Sequence, residues 1–384
     1  MQKFENVDVI AALDEIMRQN TAFYQSDFDI DKGIIQRAAA SDQAVDKTLL
    51  WMSRPSGTYC FRERDVFLKD TRQHNTWCFY GEQTRDKILA YAVLGGIPHY
   101  LRQWDPERPV SENIKRNILT KGCILYSEVE FLLHQELRET PIYNSIIEAV
   151  ALGSTRLNEI SQKSLLEDTS KTSVYLKNLI ELGIVAREFS VDARTKEQAN
   201  TSRGTYRLTD NFFRFWYAFG FANFSQLEDG DVEGVYQYVV EPALHQFASF
   251  AFEDVCREFI REKQKKNELP FRYAKMGRWM GKTTVRDEKA DHGLRTAETE
   301  IDLLGIDREA KNYLVGECKF KAAPFSYTEY LDTLAKLTPL KKSATFYYAL
   351  FSESGFDEKI AAEAAERKTQ LYALEQVVNY FIKI

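Results

Sequence analysis

No apolar run in the 384 residues approaches the ~20 that a membrane-spanning helix needs, and the opening MQKFENVDVI lacks the basic-then-apolar pattern of an export signal. The expectation is a cytoplasmic protein with no membrane partner. Cysteine is sparse: Cys60, Cys78, Cys123, Cys256 and Cys318 stand singly, without CxxC or a histidine at ligand spacing. That speaks for reduced, mostly buried thiols and against a disulfide framework or a zinc site. Positive charge is not in excess either. With a net charge of -6, bulk attraction to nucleic acid or anionic lipid is not expected, although a local patch remains open. A phosphate-binding loop is missing as well. GRWMGKT, starting at Gly277, mimics one but has one residue too few between its glycines and no buried strand opening straight into a helix. ATP binding is therefore not expected.

The stretch from Thr299 to Lys321, TEIDLLGIDREAKNYLVGECKFK, is the most informative part of what is present. Two apolar runs flank a polar loop, the pattern of a β-hairpin. Strand alternation puts Glu300 with Asp302, and Glu317 with Lys319 and Lys321, while Ile301, Leu303 and Cys318 point the other way. Burying several charges is costly unless they pair with each other or hold a cation. Two carboxylates on neighbouring strands supply hard oxygen ligands to Mg2+, and a lysine beside them can orient or deprotonate an attacking water.

An acid closing one strand and Glu-x-Lys on the next resembles the core of the PD-(D/E)XK nucleases. The resemblance implies that Asp302 and Glu317 bind Mg2+, or Mn2+ in its place, with the Cys318 carbonyl as a further ligand. Lys319 would then act on the water, and Glu253 would serve as the acid many members carry on their first helix. Ile301 stands where the family has proline. The order Gly-Arg-Trp-x-Gly-Lys, Glu-Ile-Asp, Gly-Glu-Cys-Lys is also similar to the uncharacterised domain C-terminal to archaeal-type AAA ATPases. LGGIPHYLRQWDPERPVSENIKRNILTKGCILYSEVEFLLHQELRETPIY, from Leu94, resembles the helical lid region of the same ATPases, so the chain looks like their C-terminal region without the P-loop core. Residues 1–92 faintly resemble a segment carried on bacterial mobile elements, which implies a junction near Tyr91 to Leu94 and no activity.

In chain order, the spacing predicts helices over Glu5–Asn20, Asp29–Ser41 and Ala44–Ser53, then an extended segment. Residues 141–210 read as three helices, two of them ended by Gly153 and Gly183, followed by strands in IVAREFS and GTYRLTD. That is the order of a winged helix-turn-helix. A DNA-binding member would turn Ser170, Lys171, Thr172, Ser173 and Lys177 toward DNA, with Arg194, Lys196 and Arg203 of the wing on phosphates. Balanced acids and bases leave protein contact as the other reading. DNFFRFWYAFGFANF could stack bases, but a helix apolar on every side suits burial between domains better. Five segments follow: 1–92, uncharacterised; 93–140, lid-like; 141–210, winged helix; 211–245, aromatic connector; 246–384, nuclease-like. In the last, PFRYAKMG reads as a strand followed by a long loop before the hairpin. The fold class expected is multidomain, mainly α plus α/β, ending in a mixed sheet. Two functions stay open: a metal-dependent nuclease acting on DNA or RNA, and a non-catalytic accessory that binds DNA or other protein subunits.

Overall fold

The computed structural model describes residues 49–53, 58–62, 84–166, 168–194, 204–286, 294–337 and 343–382. The helices expected over Glu5–Asn20 and Asp29–Ser41 lie outside these residues. The third expected helix is corrected at its end, where β1 (Leu49–Ser53) pairs antiparallel with β2 (Thr58–Arg62). Partner-strand hydrogen bonds outweigh weak local helical spacing there.

The chain combines a helical half with a C-terminal α/β half. Helices run through Thr84–Leu94, Pro98–Arg102, Val110–Ile114, Ile124–Glu136, Thr140–Ala151, Leu157–Lys163 and Thr169–Glu181. An antiparallel ribbon of β3 (Val185–Glu188) and β4 (Thr205–Leu208) follows, the element order read from residues 141–210. Gly153 and Gly183, at φ of 95° and 71°, end the first and third helices of this module in a left-handed conformation that glycine adopts without strain. Most of the aromatic run is buried as its composition suggests: Phe212, Phe213, Phe215, Trp216, Tyr217 and Phe219 sit in the helical core, while Phe224 at its end is 40% exposed.

The C-terminal half is a five-stranded mixed sheet in the order β5 (Lys275–Arg286), β6 (Leu294–Ile306), β7 (Asn312–Lys319), β8 (Thr345–Ser352) and β9 (Thr369–Ala373). β5, β6 and β7 pair antiparallel, whereas β7, β8 and β9 run parallel. Parallel neighbours need crossovers, supplied by the helices Tyr327–Ala335 and Glu358–Glu363. The long helix Glu241–Lys265 lies on one face. Its buried residues Leu244, Ala248, Ala251, Phe252, Val255 and Phe259 recur every three or four positions. Most of them meet Leu303, Leu314, Ala349 and Phe351 of the sheet. Among the described residues no helix is long and apolar enough to cross a membrane.

Two findings depart from the sequence reading. The stretch GRWMGKTT is not loop but the body of β5, paired to β6 on both sides of a bulge at Arg278, and that pairing offsets the poor strand propensity of its glycines. Gly281 is required here, because a Cβ at that position would stand 2.4 Å from the Trp279 ring. β5 is also an edge strand, and such edges are usually covered. Its cover is the segment after β3. The Val191 N–H donates to the Arg278 carbonyl at 2.9 Å, the Met280 N–H to Ser190 Oγ at 3.2 Å, and Trp279 Nε1–H to Asp192 Oδ2 at 2.9 Å.

The other departure is the helix Thr84–Leu94, which runs across the expected boundary at residue 92. Ala90, Val93 and Leu94 enter the helical core, and Ile88, Tyr91 and Ala92 enter the core under the sheet. The Tyr91 carbonyl also accepts from Asn211 Nδ2 at 2.8 Å. One helix thus belongs to two cores. Tyr91→Ala is expected to destabilise the protein by about 3–5 kcal/mol, as large-to-small changes of buried aromatics do. Urea unfolding followed by circular dichroism measures it, and a loss under about 1 kcal/mol would mean the helix is dispensable to both cores.

Candidate active site

The two acids and the lysine singled out in the hairpin sit where β6 and β7 run side by side. Asp302 Oδ2 accepts the backbone N–H of Cys318 at 2.8 Å, which ties the β6 acid to β7. Glu317 is 6% exposed and holds two ammonium groups, Lys319 Nζ on Oε1 at 2.9 Å and Lys336 Nζ on Oε2 at 2.6 Å. Lys336 follows the helix Tyr327–Ala335, so the crossover after β7 brings its cation back to the strand it left.

Electrostatics bind these groups into one cluster. Burial, then the carboxylates of Glu253 and Glu317, push the Asp302 carboxyl up to about 7, against the opposing pull of the Cys318 N–H and Lys336. For Lys319, burial favours the neutral amine, but the charge and hydrogen bond of Glu317 outweigh it and raise the pKa above the ordinary lysine value. Lys319 is therefore a cation at neutral pH. It can orient water or steady negative charge, and it is poorly suited to take a proton.

Glu253 arrives on the long helix and is claimed by arginines. Arg278 of β5 pairs with its Oε2, and Arg257, one turn further along the helix, lies 3.5 Å from the same oxygen. Arg257 is itself buried, donating to the Asp302 carbonyl at 2.9 Å and pairing with Asp254. Burial alone would raise the Asp254 carboxyl, yet Arg257 and Arg207 hold it well below the usual carboxylate range. The Cys318 thiol hydrogen-bonds the Cys256 thiol, and burial pushes both thiols up. Neither is reactive in this state.

The donor set can be weighed against a divalent cation. Among the described residues no group of three or more His, Cys, Asp or Glu side chains is arranged to hold a metal ion. What is present is a pair of acids, Asp302 and Glu317, the first driven toward its neutral form mainly by burial and further by the charges of Glu253 and Glu317. A hydrated Mg2+ commonly takes only one or two carboxylates and keeps its waters, and it relieves the repulsion between them. The residues fit such an ion.

On the three-helix module, Ser170, Lys171 and Lys177 are exposed and Ser173 is half-buried, as a reading helix would need. Thr172 is a correction. It is fully buried, with its hydroxyl donating to Ser161 Oγ at 3.1 Å, because helical spacing turns it inward with Leu176 and Leu179. Arg194 is exposed, and Lys196 and Arg203 lie outside the described residues. Arg257, Arg278 and Lys336 escaped the sequence reading. Of the three, only Arg257 had a local signal, a basic residue four positions after Glu253.

Because its folded pKa is raised from 3.8 to about 7, Asp302 favours the folded state while protonated. That contribution is intact below about pH 4 and is lost as pH climbs through 7. Asp302→Asn keeps an oxygen for the Cys318 N–H and removes the charge. The variant is expected to melt higher than the wild type at pH 8 and alike at pH 4, read by thermal denaturation, and an equal difference at both pH values would contradict the raised pKa.

With this geometry in view, three similarities bear on the chain. An uncharacterized protein of Methanocaldococcus jannaschii is 32% identical over 236 residues, which are 61% of this chain and 48% of that protein. The chain thus spans about half the length of the curated relative it matches. A crystal structure of a Vibrio cholerae protein overlays on 91% of this chain and 72% of its own with a TM-score of 0.28 at 10% identity. The family model DUF234, described as archaeal and bacterial proteins of unknown function, matches residues 216–330, a span that contains Glu253, Asp302, Glu317 and Lys319.

Proposed function

We propose that the chain is a Mg2+-dependent phosphodiesterase acting on nucleic acid, with Asp302 and Glu317 as the cation's carboxylates. The observation that carries this reading is the Asp302 carboxyl raised to about 7 beside a second buried acid and a lysine cation. Perturbed titration, like-charge pairing and a basic partner together are the arrangement by which functional sites tune their acids. When bound, the ion would polarise a phosphoryl oxygen and make a water nucleophilic at neutral pH. Mn2+ accepts the same oxygen donors. Lys319 and Lys336, steadied on Glu317, would lend positive charge to a phosphate whose negative charge grows in the transition state. Arg257 would position Asp302 through its backbone carbonyl while it pairs with Glu253. The three-helix module would hold the substrate through Ser170, Lys171, Ser173 and Lys177.

One observation favours the other reading, a non-catalytic accessory that binds DNA or a protein subunit of an ATPase. Both oxygens of Glu317 and one of Glu253 already hold cations, as in a structural ion-pair network. Binding without turnover, weakening steeply with salt, would support that reading.

Two outcomes test the hydrolase. Because a carboxylate must lose its proton to bind a hard cation, Mg2+ affinity is expected to rise between pH 6 and pH 8 and to release protons. Calorimetry in two buffers of different ionisation heat would detect it, and pH-independent binding would count against Asp302 as a ligand. In nuclease assays with Mg2+ or Mn2+, Glu317→Gln and Lys319→Ala are expected to lower the rate by roughly 10²-fold or more. Equal inertness of wild type and variants on both DNA and RNA would end the enzyme reading.

A further inference from the structure

Phe250 is the one aromatic ring of the long helix Glu241–Lys265 that is left open beside the acid cluster, 51% exposed while its neighbours Phe247 and Phe252 are half-buried and buried. It precedes Glu253 by three residues and so shares its helical face. The Arg278 guanidinium carbon lies 5.7 Å from the centre of the Phe250 ring, and the same guanidinium holds Glu253, whose charge bears on Asp302. A second guanidinium, from Arg214, lies 5.4 Å from the ring. It is fixed against Phe247 at 4.2 Å and donates to the Phe247 carbonyl at 2.9 Å. Burial lowers the Arg214 pKa to about 10, which leaves it cationic at neutral pH.

We propose that Phe250 is a stacking platform for an unpaired nucleobase, and that the substrate of this site is therefore single-stranded nucleic acid. The proposal rests on the reading of Asp302 and Glu317 as a hydrolytic site. A ring with an open surface backed by two fixed cations offers a rigid π-face on which a base can stack. A duplex buries its base faces in its own stack and offers the ring nothing. Of the run Asp210–Phe224 that composition first suggested for stacking, Phe212, Phe213, Phe215 and Phe219 are in the core and cannot serve, and Phe224, 40% exposed, already stacks on Tyr126 of the helical half.

The test measures binding, so it does not depend on turnover. The full chain, in EDTA to prevent cleavage, is titrated into fluorescein-labelled oligothymidylate of about 12 nucleotides and into a duplex of the same length. Phe250→Ala is expected to weaken the single-strand complex by roughly 5- to 150-fold, the loss of one base-aromatic stack, and to leave duplex binding unchanged. Phe250→Trp should restore affinity, and Phe250→Leu, which keeps an apolar cover over the arginines without a π-face, should behave as the alanine variant. Wild-type affinity in Phe250→Leu, equal losses on both probes, or no binding to oligothymidylate would each overturn the proposal. If stacking behaves as expected and Mg2+ yields no cleavage, the hydrolase reading fails while Phe250 keeps its role. Thermal melting of each variant guards against misfolding.

Discussion

A single buried guanidinium, that of Arg257, sets the geometry on which the candidate site depends. Removing it from water is tolerable only because its hydrogen bonds are met by the Asp302 carbonyl and by Asp254, with Glu253 close by. Those partners belong to the long helix and to β6, so the pairing fixes how far along the sheet the helix can slide. From Asp254 the network continues through Arg207 of β4 to Glu188 of β3, which ties the ribbon of the three-helix module to the same point. From Glu253 it continues to Arg278 and the edge strand β5. Helix, sheet and ribbon therefore meet at one cluster of alternating charges, and the repelling acids are held together by the cations around them.

This fixed meeting point bears on how the three-helix module can act. In an isolated winged helix the ribbon is free to lie along a phosphate backbone. Here residues 190–192 are committed to β5, through Val191, Ser190 and Asp192. Thr172 is committed to the module's own core. What remains open is the outward face of Thr169–Glu181, with Ser170, Lys171 and Lys177. That face also carries Val174, 60% exposed, an apolar side chain that suits a protein surface as well as a thymine methyl. Docked in this way, the module would give a bound partner of the kind proposed a constant orientation to the acids of β6 and β7.

The proton on Asp302 links this frame to chemistry. Burial, reinforced by the charges of Glu253 and Glu317 and only partly offset by the Cys318 N–H and Lys336, raises the Asp302 carboxyl to about 7, so that it is partly protonated at physiological pH. Full compensation would have produced a silent salt bridge, and complete exposure would have left Asp302 and Glu317 ionised and independent. A carboxyl in this intermediate state would respond to any charge brought beside it, which is what the proposed cation would supply.

Local pattern alone determined the hairpin of β6 and β7 with Asp302, Glu317 and Lys319 on it, the three helices, two of them with glycine ends, and the burial of most of the aromatic run, because alternation, capping and apolar periodicity act within a few residues. The strand hidden in GRWMGKTT, the inward turn of Thr172, the double membership of the helix Thr84–Leu94 and the cations on Glu317 and Glu253 were decided by tertiary structure. Lys336 lies 19 residues from Glu317 and Arg278 lies 25 from Glu253, so no short-range pattern marks either pair. Charges can be chosen one residue at a time along a chain, but the energy of a buried charge belongs to the partners that folding brings beside it.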